Sequence, residues 1–154
     1  MKRKYFLPVV LLFFLILILI IDGKRSAKLS EQTKKVVING HEFKVDIADN
    51  DVLRGQGLSG VEKLGNDEGM LFIYPTVGIY SFWMKDMKIP LDFIWINEDT
   101  VVDITENVPK PDSDDLKSLP TYRAKQPVNR VLEVNSGSVE TLGIKNGDKV
   151  EFNL

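Results

Sequence analysis

The sequence predicts a small, mainly β domain behind a single N-terminal transmembrane helix: a β-sandwich or partly open barrel of seven to eight short strands with one or two short helices. Three observations carry this. An apolar run occupies Tyr5 to Ile21. From Lys34 onward, short β-branched and aromatic segments recur between Gly, Pro, Asn and Asp turns, the rhythm of an all-β fold. Only two stretches between those segments carry helix start and stop signals.

Residues 1–4 (MKRK) form a basic flank, and residues 5–21 (YFLPVVLLFFLILILII) are apolar or aromatic except for Pro8. A run of about 17 such residues reaches the lower limit for a bilayer core and exceeds the usual apolar stretch of a cleaved signal peptide. No small-residue cleavage pattern follows: the run closes on Asp22-Gly23-Lys24-Arg25, with Ser26-Ala27 the nearest small pair. An uncleaved signal anchor is therefore expected over a cleaved peptide. Lys2, Arg3, Lys4 and the amino terminus outweigh Lys24 and Arg25, which share their side with Asp22. The positive-inside rule then places the N-terminus in the cytoplasm and the rest outside, as a single-pass protein of the cell membrane with an extracytoplasmic C-terminal domain. Residues 22–33 read as a polar linker and residues 34–154 as one domain.

Within the domain, VVI-NG-HEFKVDI (Val36 to Ile47) reads as a hairpin, because Asn39-Gly40 supplies both positive-φ residues of a type I′ turn. Asp49 or Asn50 caps a short helix through Leu53, Arg54 and Gln56, stopped by Gly57 and Gly60. GMLFIY (Gly69 to Tyr74) is a strand ended by Pro75, and IYSFWMK and LDFIWIN are two more, separated by Ile89-Pro90. Asn97-Glu98-Asp99 turns the chain into TVVDIT. VNRVLEV (Val128 to Val134) and KVEF (Lys149 to Phe152) complete the strands, with helical turns at Ser138 to Leu142 closed by Gly143. Glu106 to Pro127 carries four prolines and many charges, and reads as a long loop. Leu119 and Tyr122, flanking Pro120, are its expected anchors on the aromatic face around Trp83.

Composition removes several chemistries. The chain has no Cys, one His and a formal net charge of -2. Disulfides, thiol catalysis and Cys-ligated metals are excluded. Acids and bases are interspersed, so no nucleic-acid partner is expected. His41 follows the Asn39-Gly40 turn and is expected to face solvent. Asp112-Ser113-Asp114-Asp115 fails the calcium-loop pattern, since its sixth residue is Lys117 and its twelfth Arg123. Met84 and Met87 offer thioethers to a soft ion, but odd spacing in a strand sends them to opposite faces. No metal and no cofactor is expected.

The series Arg54-x-x-Gly57-Leu58, Asp67-Glu68-Gly69-Met70-Leu71-Phe72, Ser81-Phe82-Trp83-Met84-Lys85, Ile89-Pro90-Leu91-Asp92 and Val131-Leu132-Glu133, with Gly137, Gly143-Ile144 and Gly147-Asp148, resembles the domain-of-unknown-function 192 family, also called uncharacterised protein family 0127. The likeness spans nearly everything from Val45 to the C-terminus. It implies a small, mainly β domain, often behind an N-terminal apolar segment, with no activity established for the family. The chain departs from the pattern at Ser59, Val61 and Asp86-Met87, and lacks the cysteines some members carry in the proline-rich loop.

The stretch SFWMKDMKIPLDFIWI (Ser81 to Ile96) is apolar on both sides yet holds Asp92. A buried carboxylate needs partners. Backbone amides near the strand start at Pro90 are expected to supply them, with Arg54 as the ionic partner. Phe82, Trp83 and Met84 should alternate between core and outer face. Arg54, Trp83, Met84, Asp92, Tyr122 and Glu133 are the candidate binding residues. The expected function is a membrane-tethered binding or assembly module for a small molecule, envelope polymer or protein. The alternative is a small hydrolase using paired carboxylates Asp92 and Glu133, on carbohydrate for example; a second alternative is a purely structural domain. Convergence of the candidates on one cavity separates the first two from the third.

Overall fold

The computed structural model describes residues 33–112, 115 and 118–154. The expected flank and anchor, and all but the last residue of the expected linker, lie outside them. Among the described residues no helix is long and apolar enough to cross a membrane. In chain order the elements are β1 (Lys35–Ile38), β2 (His41–Ala48), α1 (Asp51–Gln56), β3 (Glu68–Gly78), β4 (Phe82–Trp83), β5 (Leu91–Asn97), β6 (Thr100–Val108), β7 (Thr121–Tyr122), β8 (Val128–Asn135), α2 (Ser138–Leu142) and β9 (Val150–Asn153).

Seven strands form one sheet in the order β6-β5-β8-β3-β2-β1-β9, and β4 pairs with β7 in a separate ribbon. Only β2 and β3 run parallel, and α1 lies on the crossover that such a pair requires. The sheet curls until its two edge strands approach each other. Thr100 bridges to Lys149, Val101 N donates to Asp148 O at 3.0 Å, and Val150 N donates to Asp99 O at 2.8 Å. Edge amides that would otherwise lack partners are satisfied there. Of the two expected architectures, the molecule is the partly open one: a curled half-barrel rather than a sandwich.

Local chemistry sets the pieces. Asn39 and Gly40 adopt φ of 53° and 77°, the pair a type I′ turn needs. The Asn50 side chain accepts from Leu53 N and caps α1. Gly69 is demanded by packing: a Cβ there would sit 2.6 Å from the Glu133 carbonyl oxygen on the neighbouring strand. Leu91 to Ile96 are all buried, because β5 lies between two apolar layers. On one face Leu71, Ile94, Leu132 and Val134 pack under Val139 of α2. On the other Phe72, Phe93, Trp95 and Val131 lie beneath Phe82, Met84, Met87 and Leu58.

Three sequence expectations need correction. β3 does not stop at Pro75 but continues to Gly78, with a register shift between Ile73 and Gly78 where the missing proline N–H leaves no ladder bond broken. The IYSFWMK strand shrinks to Phe82–Trp83 and pairs outside the main sheet. The long loop is shorter than expected, because β6 extends through Glu106 to Val108 and Tyr122 pairs with Phe82. A long-range contact decides the last point: the Tyr122 ring packs edge-on against Phe93 at 5.7 Å.

Candidate functional site

Glu133 sits in the middle of β8 between Met70 of β3 and Phe93 of β5. Residues paired across strands share a face, as do alternate residues along one, so Glu133 points to the side of Met70, Phe72, Tyr74 and Phe93. Glu133 is 5% exposed as a residue, and its Oε2 is buried without a hydrogen-bond partner among the described residues. Burial alone pushes its pKa up to about 8, so it carries a proton at neutral pH. The protonated group is both a donor and an acceptor.

Above Glu133 lies a cavity of about 70 Å³ lined by Arg54, Gly57, Tyr74, Phe82 and Trp83 among others. α1 delivers Arg54 from one side. Its Nη1 donates to Ile73 O at 2.7 Å and its Nη2 to Asp51 Oδ1 at 2.7 Å, with the guanidinium 5.1 Å from the Tyr74 ring centre. β3 delivers Tyr74, which stacks on Tyr80 with ring centres 3.5 Å apart. Burial, and then the nearby Tyr80 and Glu133, push the Tyr74 phenol up to about 12 against the opposing charge of Arg54. Tyr74 therefore remains a neutral phenol. β4 delivers Trp83, 49% exposed, with Lys85 Nζ 6.0 Å from its ring centre. Phe82 and Met84 on either side are buried, the alternation the sequence predicts.

The candidates do not all gather here. Arg54, Trp83 and Glu133 converge on this cavity. Met84 and Tyr122 line a separate hollow of about 240 Å³ beneath Pro109, Pro111 and Leu119. Tyr122 lies opposite Phe82 while Trp83 lies opposite Thr121, so Tyr122 does not hold the Trp83 face as expected. Asp92 pairs with Val134, one residue out of phase with Glu133, and projects from the other face of the sheet. The paired-carboxylate arrangement is thus ruled out by register, with the sheet itself between the two groups.

Asp92 is fully buried and held by backbone, as expected: Oδ1 accepts from Asn107 N at 2.8 Å and Oδ2 from Val139 N at 3.0 Å. Arg54 is not its partner, being bound to Ile73 and Asp51. Met84 and Met87 share one core rather than opposite faces, because a turn with Asp86 at φ 58° and Met87 N donating to Met84 O replaces the expected strand. His41 does not face solvent freely: its ring packs edge-on against Phe43 at 4.6 Å, with Nε2 3.3 Å from Asp67 Oδ1. Among the described residues no three His, Cys, Asp or Glu side chains gather as a metal site. Sequence reasoning missed Tyr74. Its signal was phase, since Tyr74 lies two residues beyond Phe72 on the strand that flanks Glu133.

Two solved structures resemble the chain. A protein of unknown function from Novosphingobium aromaticivorans DSM 12444 is 34% identical, with a TM-score of 0.67 over 76% of this chain and 83% of that one. A "putative transcription regulator" from Sinorhizobium meliloti 1021 is 32% identical, with a TM-score of 0.67 over 77% of this chain and 93% of that one. No curated protein matches. Residues 34–152 match the domain-of-unknown-function 192 family, described as an uncharacterized ACR, and that span takes in all seven strands of the curled sheet except the final residue Asn153, together with the cavity over Glu133. The chain therefore belongs to the domain-of-unknown-function 192 family.

Proposed function

We propose that the domain is a binding module, held outside the cell membrane by residues 5–21, and that the cavity over Glu133 is its binding site. One observation carries the reading: a buried glutamate, with Oε2 unpartnered among the described residues, lines an open cavity walled by aromatic side chains. Leaving such a group unsatisfied costs about 1–3 kcal/mol, which a ligand bond recovers. An exposed Trp83 at the rim adds a flat stacking surface. The ligand is a small molecule, or a protruding group of an envelope polymer or protein. With a net charge of -2 and interspersed acids and bases, the sequence offers no basic stripe for nucleic acid.

The test is an unbiased small-molecule screen read by quenching of tryptophan fluorescence with acrylamide. Trp95 is fully buried, so an external quencher reports on Trp83. A ligand of this cavity should protect Trp83, and Trp83→Phe should remove the signal and weaken binding. Hits that titration calorimetry shows to bind Trp83→Phe and Glu133→Gln as tightly as the wild type would place binding elsewhere and refute this reading.

A further inference from the structure

We propose that the cavity over Glu133 takes the ammonium group of an amine ligand, with the Glu133 carboxylate as its counter-ion. The inference rests on the cavity being the binding site and adds the class of ligand. Its first support is the unmatched acid. Glu133 lines the cavity, and its buried Oε2 has no partner among the described residues. Burial alone accounts for its raised pKa, and among the described residues no cation is paired with it to offset the desolvation. A cation entering the cavity would do so.

The second support is the wall. Phe72, Tyr74, Phe82 and Trp83 line the cavity together with Glu133, and aromatic faces attract cations within about 6 Å. The charged and titratable groups on the elements around it are few. α1 brings Arg54, whose charge is held by Asp51 Oδ1 at 2.7 Å and which lies over the Tyr74 ring. β3 brings Tyr74, with Tyr80 stacked behind it. Lys85 lies against the Trp83 ring, and β5 presents apolar Phe93. None occupies the place of a counter-ion to Glu133. A divalent metal fits poorly, since no second carboxylate or histidine joins Glu133 in the lining. A cavity of about 70 Å³ suits a single ammonium head rather than a whole sugar ring.

Binding at neutral pH requires Glu133 to release its proton to solvent while the amine stays protonated. Affinity must therefore rise about tenfold per pH unit up to the carboxyl pKa near 8, then level until the amine itself titrates. A ligand bound through hydroxyl or amide groups gives no such rise.

The experiment uses the full-length protein with four probes at pH 6, 7, 8 and 9. Ethanolamine is matched with ethylene glycol, and glucosamine with N-acetylglucosamine. Acrylamide quenching of Trp83 is the readout. The expected result is binding of an amine but not of its neutral partner, an affinity rise for ethanolamine, which stays protonated over this range, of about tenfold per unit between pH 6 and 8, and a loss of at least about tenfold in Glu133→Gln. Preference between the two amines separates a lipid-type headgroup from an amino sugar as the source. Equal binding of neutral partners, or a flat pH profile for ethanolamine, overturns the ammonium assignment while leaving the cavity a binding site. If none of the four probes binds, the assignment falls, and the wider screen then decides the cavity separately. Should Glu133→Gln fail to fold, the ¹³C shift of the wild-type Glu133 carboxyl replaces it. Its midpoint near 8 should drop on saturation with ethanolamine, and an unmoved midpoint overturns the proposal.

Discussion

Glu133 is an acid kept in its neutral form by burial, and this has a consequence for stability. An ordinary glutamate titrates near 4.5, whereas burial pushes Glu133 to about 8 in the folded domain. Between these values the folded state holds a proton that the unfolded state has lost. Its contribution is fully present below about pH 4.5, falls as pH rises toward 8, and is constant above that. The slope from this one group is at most about 1.4 kcal/mol per pH unit. Glu133→Gln keeps the shape without the titration. Urea unfolding across pH 4 to 9 should show the variant gaining stability relative to wild type as pH rises from 5 to 8. Parallel curves would mean that the carboxyl ionises in the fold without penalty.

Among the elements, α2 shows how a short helix depends on a distant strand. It spans only Ser138–Leu142, and its N-cap, Gly137, has no side chain to satisfy the first amides. Asp92 of β5 reaches Val139 N instead, and its second oxygen accepts from Asn107 N at the end of β6. One carboxylate thus joins the helix start to an edge strand, at a position fully removed from water. Asp92→Asn replaces one accepting oxygen by a donor facing a donor, and should cost about 1–3 kcal/mol in chemical denaturation. Arg54→Ala should weaken the packing of α1 on β3 independently, since Arg54 bonds to Ile73 O and Asp51. The double variant should be additive within about 0.5 kcal/mol. A larger coupling would reveal a link between the two sites that their separate hydrogen bonds do not provide.

For the whole molecule, the main question is how the domain is held. Tyr5 to Ile21, preceded by a basic flank, are read as an anchor with the domain outside. The full-length protein should sediment with membranes, and protease added from outside should remove the domain. Recovery of a shortened soluble form would show instead that the apolar segment is cleaved. Such a tether would keep a site of modest affinity at high local concentration beside membrane and envelope components, which suits a shallow cavity for a small head group.

Pattern and turn chemistry settle what depends on neighbours in sequence. The Asn39-Gly40 hairpin, a cap at Asp49 or Asn50, the Gly143 stop and strands β5 and β8 were legible because each rests on local φ preference, local hydrogen bonds or alternation. The burial of Asp92 was legible for a similar reason, since an acid among apolar residues needs amides to bind. Cross-strand register was not legible. It puts Asp92 and Glu133 on opposite faces, brings Tyr74 beside Glu133, and joins Tyr122 to Phe82 rather than to Trp83. A strand carries a period of two but no label for its partner, and a one-residue slip exchanges its faces. The sequence by itself therefore determined a mainly β domain of this family and most of its candidate residues. Only the tertiary structure decided which of them share a cavity, because pairing between distant strands is set by the packing of the entire sheet.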